Sequence, residues 1–233
     1  MKVDIYSDVV CPWCYIGERR FARALAAFPD GEQVEVGFRP YQLDPDAPAT
    51  PRPLIESLGR KFGSRVPEML TRVSDAARGE GIEMRWDDAL AVNTLSAHRV
   101  LRLAEREQGP AVQRALAERL FDAHFSRGAD ISDAATLGEL AAAAGMDADR
   151  VCAHLATDDG LRDVVAEIEQ AQRLGIRAVP TFVFDGKYLV EGGQPAPVFL
   201  QVLEEVARLG RAEGGVAAER EGDDACVDGA CRT

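Results

Sequence analysis

The amino-acid sequence predicts an α/β fold in which strands near both ends of the chain are separated by a long, all-helical insertion. Two observations carry this prediction. Segments with the two-residue periodicity of strands occur near the N-terminus and again after residue 180, whereas residues 54–158 contain helical spacings and no clear strand. The chain has 233 residues and is 46% hydrophobic, so it can bury a substantial core.

The first elements form a β-α-β pattern. Val3 and Ile5 alternate with polar residues, which predicts a short strand over residues 2–6. A helix should start near Pro12, because proline suits a first helical position, where its missing N–H would have no partner. Residues 34–38 alternate again and predict a second strand with one buried face.

The insertion follows a proline-rich connector. Four prolines disfavour a helix immediately after the second strand: Pro45, Pro48, Pro51 and Pro53. We predict that residues 54–158 form the helical insertion, with its clearest helices at 93–107, 111–126 and 133–144.

The chain then returns to strands. A helix over 161–174 should end at Gly175, and 181–184 is a run of strand formers. Asp185-Gly186 is a strong hairpin signal before the next strand. A last helix is predicted from 197 to 209. The expected domains are therefore 1–53 with 159–209, the insertion 54–158, and a flexible acidic tail, 210–233, rich in Gly, Glu and Ala.

Charge and hydropathy exclude several classes of partner. The net charge of −12 disfavours nucleic acid and anionic membrane surfaces, which would repel the protein. The sequence has no run of the roughly 18 apolar residues that a transmembrane helix requires. Asp4 and Asp8 interrupt any apolar segment that a secretory signal would need, so we expect a cytoplasmic protein.

The five cysteines point to redox or metal chemistry rather than to a structural disulfide framework. Cys11 and Cys14 stand in Cys11-Pro12-Trp13-Cys14 at the predicted junction of strand and helix. A helix N-terminus stabilises the thiolate that attacks disulfides, and a second thiol one turn further along can resolve the mixed disulfide. We expect Cys11 to be the nucleophile and Cys14 the buried resolving thiol, with Pro12 and Trp13 contacting a substrate polypeptide. The alternative for Trp13 is a partly exposed ring that packs on the adjacent loop.

Another interpretation of this cysteine pair stays open. A lone C-x-x-C is also half of a zinc site, which Cys226 and Cys231 would complete in a zinc- or cadmium-binding protein. We favour the redox interpretation, in which no metal or other cofactor is required, because the pair lies in a β-α-β arrangement.

Ala178-Val179-Pro180 precedes the third strand. On its own, Pro180 predicts a trans peptide bond, since only about 5–6% of X-Pro bonds are cis.

Several stretches together resemble the DsbA family of the thioredoxin superfamily, and within it the cytoplasmic FrnE-like branch. The stretches are residues 7–17, with the sequence SDVVCPWCYIG, and 93–99, 130–133, 175–184 and 192–195. The resemblance implies a thioredoxin fold with an inserted helical domain, a nucleophilic Cys11, a resolving Cys14 and a cis-Pro180 facing them. It also implies that the backbone at Val179 contacts an extended substrate. Ala178 departs from the glycine that is frequent there.

The resemblance further implies the partners: polypeptides carrying disulfides or dithiols, together with glutathione or a thioredoxin-type reductant. Relatives in the superfamily include 2-hydroxychromene-2-carboxylate isomerases and kappa-class glutathione transferases, which typically have Ser at the position of Cys11. A glutathione-dependent isomerase of a small aromatic or polyketide substrate is therefore a further alternative. The presence of both cysteines favours dithiol chemistry.

The remaining reactive side chains give weaker signals. A flexible tail would let Cys226 and Cys231 reach Cys11, since its r.m.s. span is roughly 20–25 Å, so the pair is either a redox relay or an adventitious exposed pair. Cys152 is expected to pack as a small apolar group. The other expectations are that Asn93 caps a helix, that the acidic side chains lie on solvated helix faces, and that His98, His124 and His154 are solitary.

Overall fold

The computed structural model describes residues 1–48 and 50–221, and all their side chains except those of 213–221. Its strands are β1 (Lys2–Ser7), β2 (Glu35–Pro40), β3 (Arg52–Pro53), β4 (Leu90–Ala91), β5 (Thr181–Phe184) and β6 (Tyr188–Glu191). Its helices are α1 (Pro12–Ala27), α2 (Leu54–Phe62), α3 (Val66–Arg78), α4 (Leu95–Gln108), α5 (Pro110–Arg127), α6 (Ala134–Ala143), α7 (Ala148–Leu155), α8 (Leu161–Arg173) and α9 (Ala196–Glu221).

The main sheet has the strand order β2-β1-β5-β6. Strands β1 and β2 are parallel, so α1 is the crossover that a parallel pair requires. Strands β5 and β6 are antiparallel to their neighbours. Asp185 and Gly186 both have positive φ, as a tight hairpin turn requires, which confirms the hairpin predicted from these two residues.

The helices α2 to α8 are inserted between β2 and β5, which confirms an α/β fold with a helical insertion. The three helices expected at 93–107, 111–126 and 133–144 correspond to α4, α5 and α6. The two-residue strands β3 and β4 pair with each other and were not predicted, because two residues are too few to show a periodicity. No helix within the described ranges combines the length and apolarity needed to cross a membrane.

The last helix is longer than the sequence analysis predicted. It runs to Glu221 rather than ending at residue 209, since Ala, Glu and Arg residues beyond Leu209 favour helix. Cys226 and Cys231 lie outside the described residues, so the position of that pair relative to Cys11 stays a prediction, as does the division into domains.

Helix α1 packs against both parts of the core. On one side, the ring of Phe21 contacts those of Phe182 and Phe199, with ring centroids 5.3 and 5.5 Å away. On the other side, the ring of Tyr15 stacks on that of Phe121 in α5, at a centroid distance of 5.3 Å. Because both contacts belong to one helix, the sheet and the insertion together fix the position of its N-terminus.

Candidate active site

The cysteine motif lies where β1 ends and α1 begins. The backbone N–H of Cys11 donates to the carbonyl oxygen of Asp8 at 2.9 Å, which closes a turn between strand and helix. Cys11 is the N-cap residue, Pro12 is the first helical residue, and the N–H of Cys14 donates to the carbonyl oxygen of Cys11 at 3.0 Å. The first turn of α1 holds no acidic side chain, so no carboxylate there offsets the positive end of the helix dipole.

The segment before β5 faces the first cysteine. The sulfur of Cys11 lies 3.7 Å from the carbonyl oxygen of Val179, and the Val179–Pro180 peptide bond is cis. The hydroxyl of Thr181 donates to the carbonyl oxygen of Ala178 at 2.8 Å and holds this segment against the sheet. The structure therefore brings together Cys11, Val179 and Pro180, which the sequence analysis selected from distant parts of the chain.

Two glycines allow α1 to approach this segment closely. A Cβ atom on Gly17 would lie 3.0 Å from Cγ of Pro180 and 3.1 Å from Cα of Gly193. The guanidinium of Arg20 stabilises the contact between α1 and Gly193. It donates to the carbonyl oxygen of Gly193 and to the carboxylate of Glu80, each at 2.7 Å. Gly17 and Gly193 entered the sequence analysis only as parts of the resemblance, without a physical role.

Cys14 follows Cys11 one turn further along α1, and its thiol is less acidic than an ordinary one. Both cysteines are free thiols, and the side chain of Cys14 is almost completely buried. Burial raises the pKa of Cys14 well above its ordinary value, and the neighbouring Cys11 raises it further. The hydroxyl of Ser7 and the backbone N–H of Asp8 act in the opposite direction. Cys14 is therefore a protonated thiol at neutral pH in the reduced protein.

A buried carboxylate lies in the loop that precedes the motif. Asp8 is 1% exposed, and its Oδ2 accepts a hydrogen bond from the backbone N–H of Leu43 at 2.8 Å. Nε2 of His98 lies 3.4 Å from Oδ1 of Asp8 and 3.0 Å from the carbonyl oxygen of Tyr41. The sequence analysis missed this group. The sequence feature that could have revealed it is an acidic residue between Ser7 and Val9, in a segment whose other residues favour burial.

Other polar residues differ from expectation. Glu18, on α1, is not on a solvated face: it is buried, which raises its pKa, and the guanidinium groups of Arg114, at 3.0 Å, and of Arg19 act in the opposite direction. His154, like His98, lies beside a carboxylate: its Nδ1 is 3.0 Å from an oxygen of Asp159. Cys152 is only half-buried, and its thiol donates to the carbonyl oxygen of Ala134 at 3.6 Å.

Trp13 and Pro12 are both half-buried. The guanidinium carbon of Arg72, on α3, lies 5.8 Å from the centre of the Trp13 ring, within the range of a cation–π contact. The sequence analysis placed no cation near the motif, because Arg72 is distant in sequence and reaches it only through the insertion.

Metal binding requires further ligands beside the cysteine pair. Within the described ranges, no three His, Cys, Asp or Glu side chains are grouped so that they could hold a metal ion. The second cysteine pair, on which the zinc interpretation depends, lies outside those ranges.

A dithiol at a strand–helix junction, facing a cis-proline segment in a sheet with a helical insertion, defines a disulfide oxidoreductase of the thioredoxin fold. Residues 2–204 match the model of the DSBA-like thioredoxin domain, and the chain belongs to that family. The protein is therefore a DsbA-like disulfide oxidoreductase.

Known structures agree with this assignment. A probable DsbA oxidoreductase from Streptomyces coelicolor is 36% identical, with a TM-score of 0.80 over 88% of this chain and 89% of that one. The cytosolic disulfide reductase DsbM from Pseudomonas aeruginosa, solved with GSH, has a TM-score of 0.63 at 19% identity, over 89% of this chain and 100% of its own. A 2-hydroxychromene-2-carboxylate isomerase has a TM-score of 0.67 at 15% identity, over 93% and 99% of the two chains. The last two likenesses show the fold alone.

Proposed function

We propose that the protein is a cytoplasmic thiol–disulfide oxidoreductase of the FrnE-like branch, in which Cys11 exchanges disulfides with substrates and Cys14 resolves the mixed disulfide. The observation that carries the proposal is the position of the two sulfurs. Both are buried in the reduced protein, Cys11 at the helix N-terminus beside the Val179 carbonyl and Cys14 one turn further along. This arrangement separates an attacking thiol from a resolving thiol.

The exchange proceeds in two steps that conserve electrons. The Cys11 thiolate attacks one sulfur of a substrate disulfide, a new S–S bond forms, and the electron pair of the broken bond leaves on the other substrate sulfur. Cys14 then loses its proton and attacks the Cys11 sulfur, which releases the second substrate thiolate and leaves a Cys11–Cys14 disulfide. The reverse sequence oxidises a substrate dithiol.

The substrates that we propose are polypeptides with disulfides or dithiols, with glutathione or a thioredoxin-type protein as the reductant. The backbone at Val179, beside the Cys11 sulfur, and the half-buried Trp13 ring of the motif suit an extended backbone, which pairs by main-chain hydrogen bonds and apolar contacts. The structure of DsbM with GSH supports glutathione as a partner, and its description as cytosolic supports a cytoplasmic location.

Cys14→Ala tests the assignment of roles. Without a resolving thiol, the mixed disulfide on Cys11 cannot be released internally, so we expect it to accumulate as a stable adduct with glutathione or a substrate protein. Cys11→Ala should form no adduct and lose essentially all turnover. Intact-protein mass spectrometry and non-reducing electrophoresis measure both outcomes. Cys152→Ala is the matched control, since it removes a thiol far from the motif in sequence and should behave like the wild type.

The outcome also separates the redox function from its alternatives. A glutathione-dependent isomerase would keep its activity when Cys14 is lost and would bind glutathione saturably without forming a disulfide. A zinc protein would carry stoichiometric metal in native mass spectra and would lose it when Cys226 and Cys231 are replaced. Either result would contradict the proposed roles of Cys11 and Cys14.

The second cysteine pair is proposed as an internal relay that exchanges with Cys11. Replacing Cys226 and Cys231 by serine should then slow turnover with a macromolecular reductant and leave the Cys11–Cys14 disulfide able to form. Unchanged turnover and an unchanged redox state of the motif would rule out the relay.

A further inference from the structure

Arg20 of α1 joins two segments that are distant in the sequence. Its Nε donates to Oε1 of Glu80 and its Nη1 donates to the carbonyl oxygen of Gly193, each at 2.7 Å. The side chain of Glu80 is 8% exposed and that of Arg20 is 19% exposed. Because charge-assisted hydrogen bonds of this length are strong and directional, one partly buried guanidinium sets the position of both acceptors relative to α1.

Glu80 is held in place by the insertion. It stands in the turn after α3, where its N–H donates to the carbonyl oxygen of Ala77 at 2.9 Å, and the N–H of Ile82 donates to the same oxygen at 3.0 Å. Ile82 is buried in the core and anchors this turn. Arg23 donates to the second carboxylate oxygen of Glu80 at 2.5 Å. The carboxylate that orients Arg20 is therefore itself fixed by buried contacts and by a second guanidinium.

The other end of this link leads to the backbone beside the first cysteine. A Cβ atom on Gly193 would lie 3.1 Å from the backbone of α1, so the turn after β6 packs directly on that helix. The preceding residue, Gly192, donates its N–H to the carbonyl oxygen of Pro180 at 2.8 Å. Pro180 follows Val179, whose carbonyl oxygen lies 3.7 Å from the sulfur of the first cysteine. Two hydrogen bonds, one on each residue of the Gly192-Gly193 turn, thus connect Arg20 to that backbone.

We propose that Arg20 is a positioning residue for polypeptide substrates, and that it acts through the Gly192-Gly193 turn on the Val179-Pro180 backbone. Glu80 orients the guanidinium for this role. The inference rests on the proposed exchange at Cys11 with extended polypeptides, and it deepens that function by naming the residues that set the geometry of the substrate-binding backbone. Arg20 lies behind that backbone and contributes to binding indirectly.

This role predicts selectivity between large and small substrates. An extended polypeptide is bound by main-chain hydrogen bonds, which weaken steeply when donor and acceptor are displaced. A small disulfide needs only access to the Cys11 sulfur, whose place at the helix N-terminus is set by the turn from Asp8. Loss of Arg20 should therefore weaken the binding of polypeptides and leave the chemistry at Cys11 unchanged.

Arg23 provides a matched control on the same helix. It also donates to the carboxylate of Glu80, but its side chain is 60% exposed and has no hydrogen bond to Gly193 within the described residues. Replacing either arginine removes one positive charge and one bond to Glu80, whereas only the replacement of Arg20 removes the bond to Gly193. The buried carboxylate keeps one guanidinium in both variants.

The experiment compares two disulfides that share a leaving group, on the full chain with Cys152, Cys226 and Cys231 replaced by serine. One is Ellman's reagent, 5,5′-dithiobis(2-nitrobenzoate), and the other is a short extended peptide whose single cysteine is joined to thionitrobenzoate. The Cys11 thiolate forms an S–S bond with one sulfur of the probe, and thionitrobenzoate leaves with the electron pair of the broken bond. The first release of thionitrobenzoate therefore reports attack by Cys11 on both probes.

Arg20→Met keeps most of the aliphatic stem and removes the guanidinium. We expect it to raise the half-saturating concentration of the peptide about tenfold, while the limiting rate and the first phase with Ellman's reagent stay within about twofold of the wild type. Glu80→Gln keeps the shape of the side chain and removes the charge that orients Arg20, so it should give a smaller rise. Arg23→Met should match the wild type with both probes.

The possible failures are distinguishable. A half-saturating peptide concentration shared by the wild type, Arg20→Met and Glu80→Gln would overturn the role of Arg20 and leave the exchange mechanism intact. An equal slowing with both probes, or an equal effect of Arg23→Met, would assign Arg20 a general structural role and would also overturn the inference. If Arg20→Met does not fold, Glu80→Gln decides by the same comparison. A wild type that reacts with neither probe, or that does not saturate with the peptide, would instead contradict the proposed function.

Discussion

The imidazole of His124 is completely buried in α5, and neither ring nitrogen hydrogen bonds to any residue in the described ranges. Its ring packs edge-on against Phe125, with centroids 4.5 Å apart. Burial lowers the pKa of His124 to about 4, against an opposing pull from Asp8 and Asp130. The side chain is thus neutral at pH 7 and behaves as an apolar group.

This burial predicts a pH dependence of stability. Between pH 6.5 and 4, His124 takes up a proton in the unfolded chain but not in the folded protein, so stability falls as the pH is lowered through this window. The loss attributable to His124 is about 3 kcal/mol at pH 4. His124→Leu should remove it, so that the variant loses less stability than the wild type in urea unfolding at pH 7, 5.5 and 4.5. Equal losses in both proteins would contradict the account.

At the residue scale, the motif cysteines were predictable because their chemistry is encoded locally, in the spacing of Cys11 and Cys14. The burial of the Asp8 and Glu18 carboxylates was not predictable. Each is buried because of partners far away in the sequence, the Leu43 amide for Asp8 and the guanidinium of Arg114 for Glu18. Neither partner could be paired with its carboxylate from sequence alone.

Among the elements, α5 covers part of the exposed edge of the main sheet. Strand β2 is an edge strand, and the amide of Gln113 replaces a neighbouring strand along part of it. Its Oε1 accepts from the N–H of Phe38 at 2.8 Å, and its Nε2 donates to the carbonyl oxygen of the same residue at 3.0 Å. One buried side chain thus satisfies two backbone groups and ties the insertion to the sheet.

Removing this amide should be costly. Gln113→Leu leaves the N–H and the carbonyl of Phe38 without their partners, and we expect a loss of roughly 3 kcal/mol in the free energy of unfolding. Gln172→Leu, on the exposed face of α8, is the matched control and should change stability by no more than about 0.5 kcal/mol. Urea denaturation followed by circular dichroism measures both. Similar stabilities for the two variants would show that the bridge contributes little.

Element types were largely predictable, since α4, α5, α6 and α8 and the β5–β6 hairpin have clear periodicities and end signals. The arrangement of these elements in space was not predictable. The strand order and the edge contact of Gln113 depend on which distant segments meet, and no local pattern specifies that.

For the whole molecule, α1 is the element on which the insertion and the sheet converge. Phe21 packs into the aromatic cluster of the sheet and α9, Tyr15 stacks on α5, and Arg20 links the helix to Glu80 and Gly193. The N-terminus of α1, with Cys11, therefore has its position set from both sides. The insertion serves the site by holding the helix and by supplying Arg72 beside Trp13.

The most direct test of the central claim is a redox titration of the intact protein. The protein is equilibrated in a series of glutathione buffers, its free thiols are trapped, and each disulfide is located by peptide mass spectrometry. The account predicts a reversible Cys11–Cys14 disulfide with a potential between about −270 and −120 mV. A motif that stays reduced in every buffer, or that pairs only with other cysteines, would contradict it.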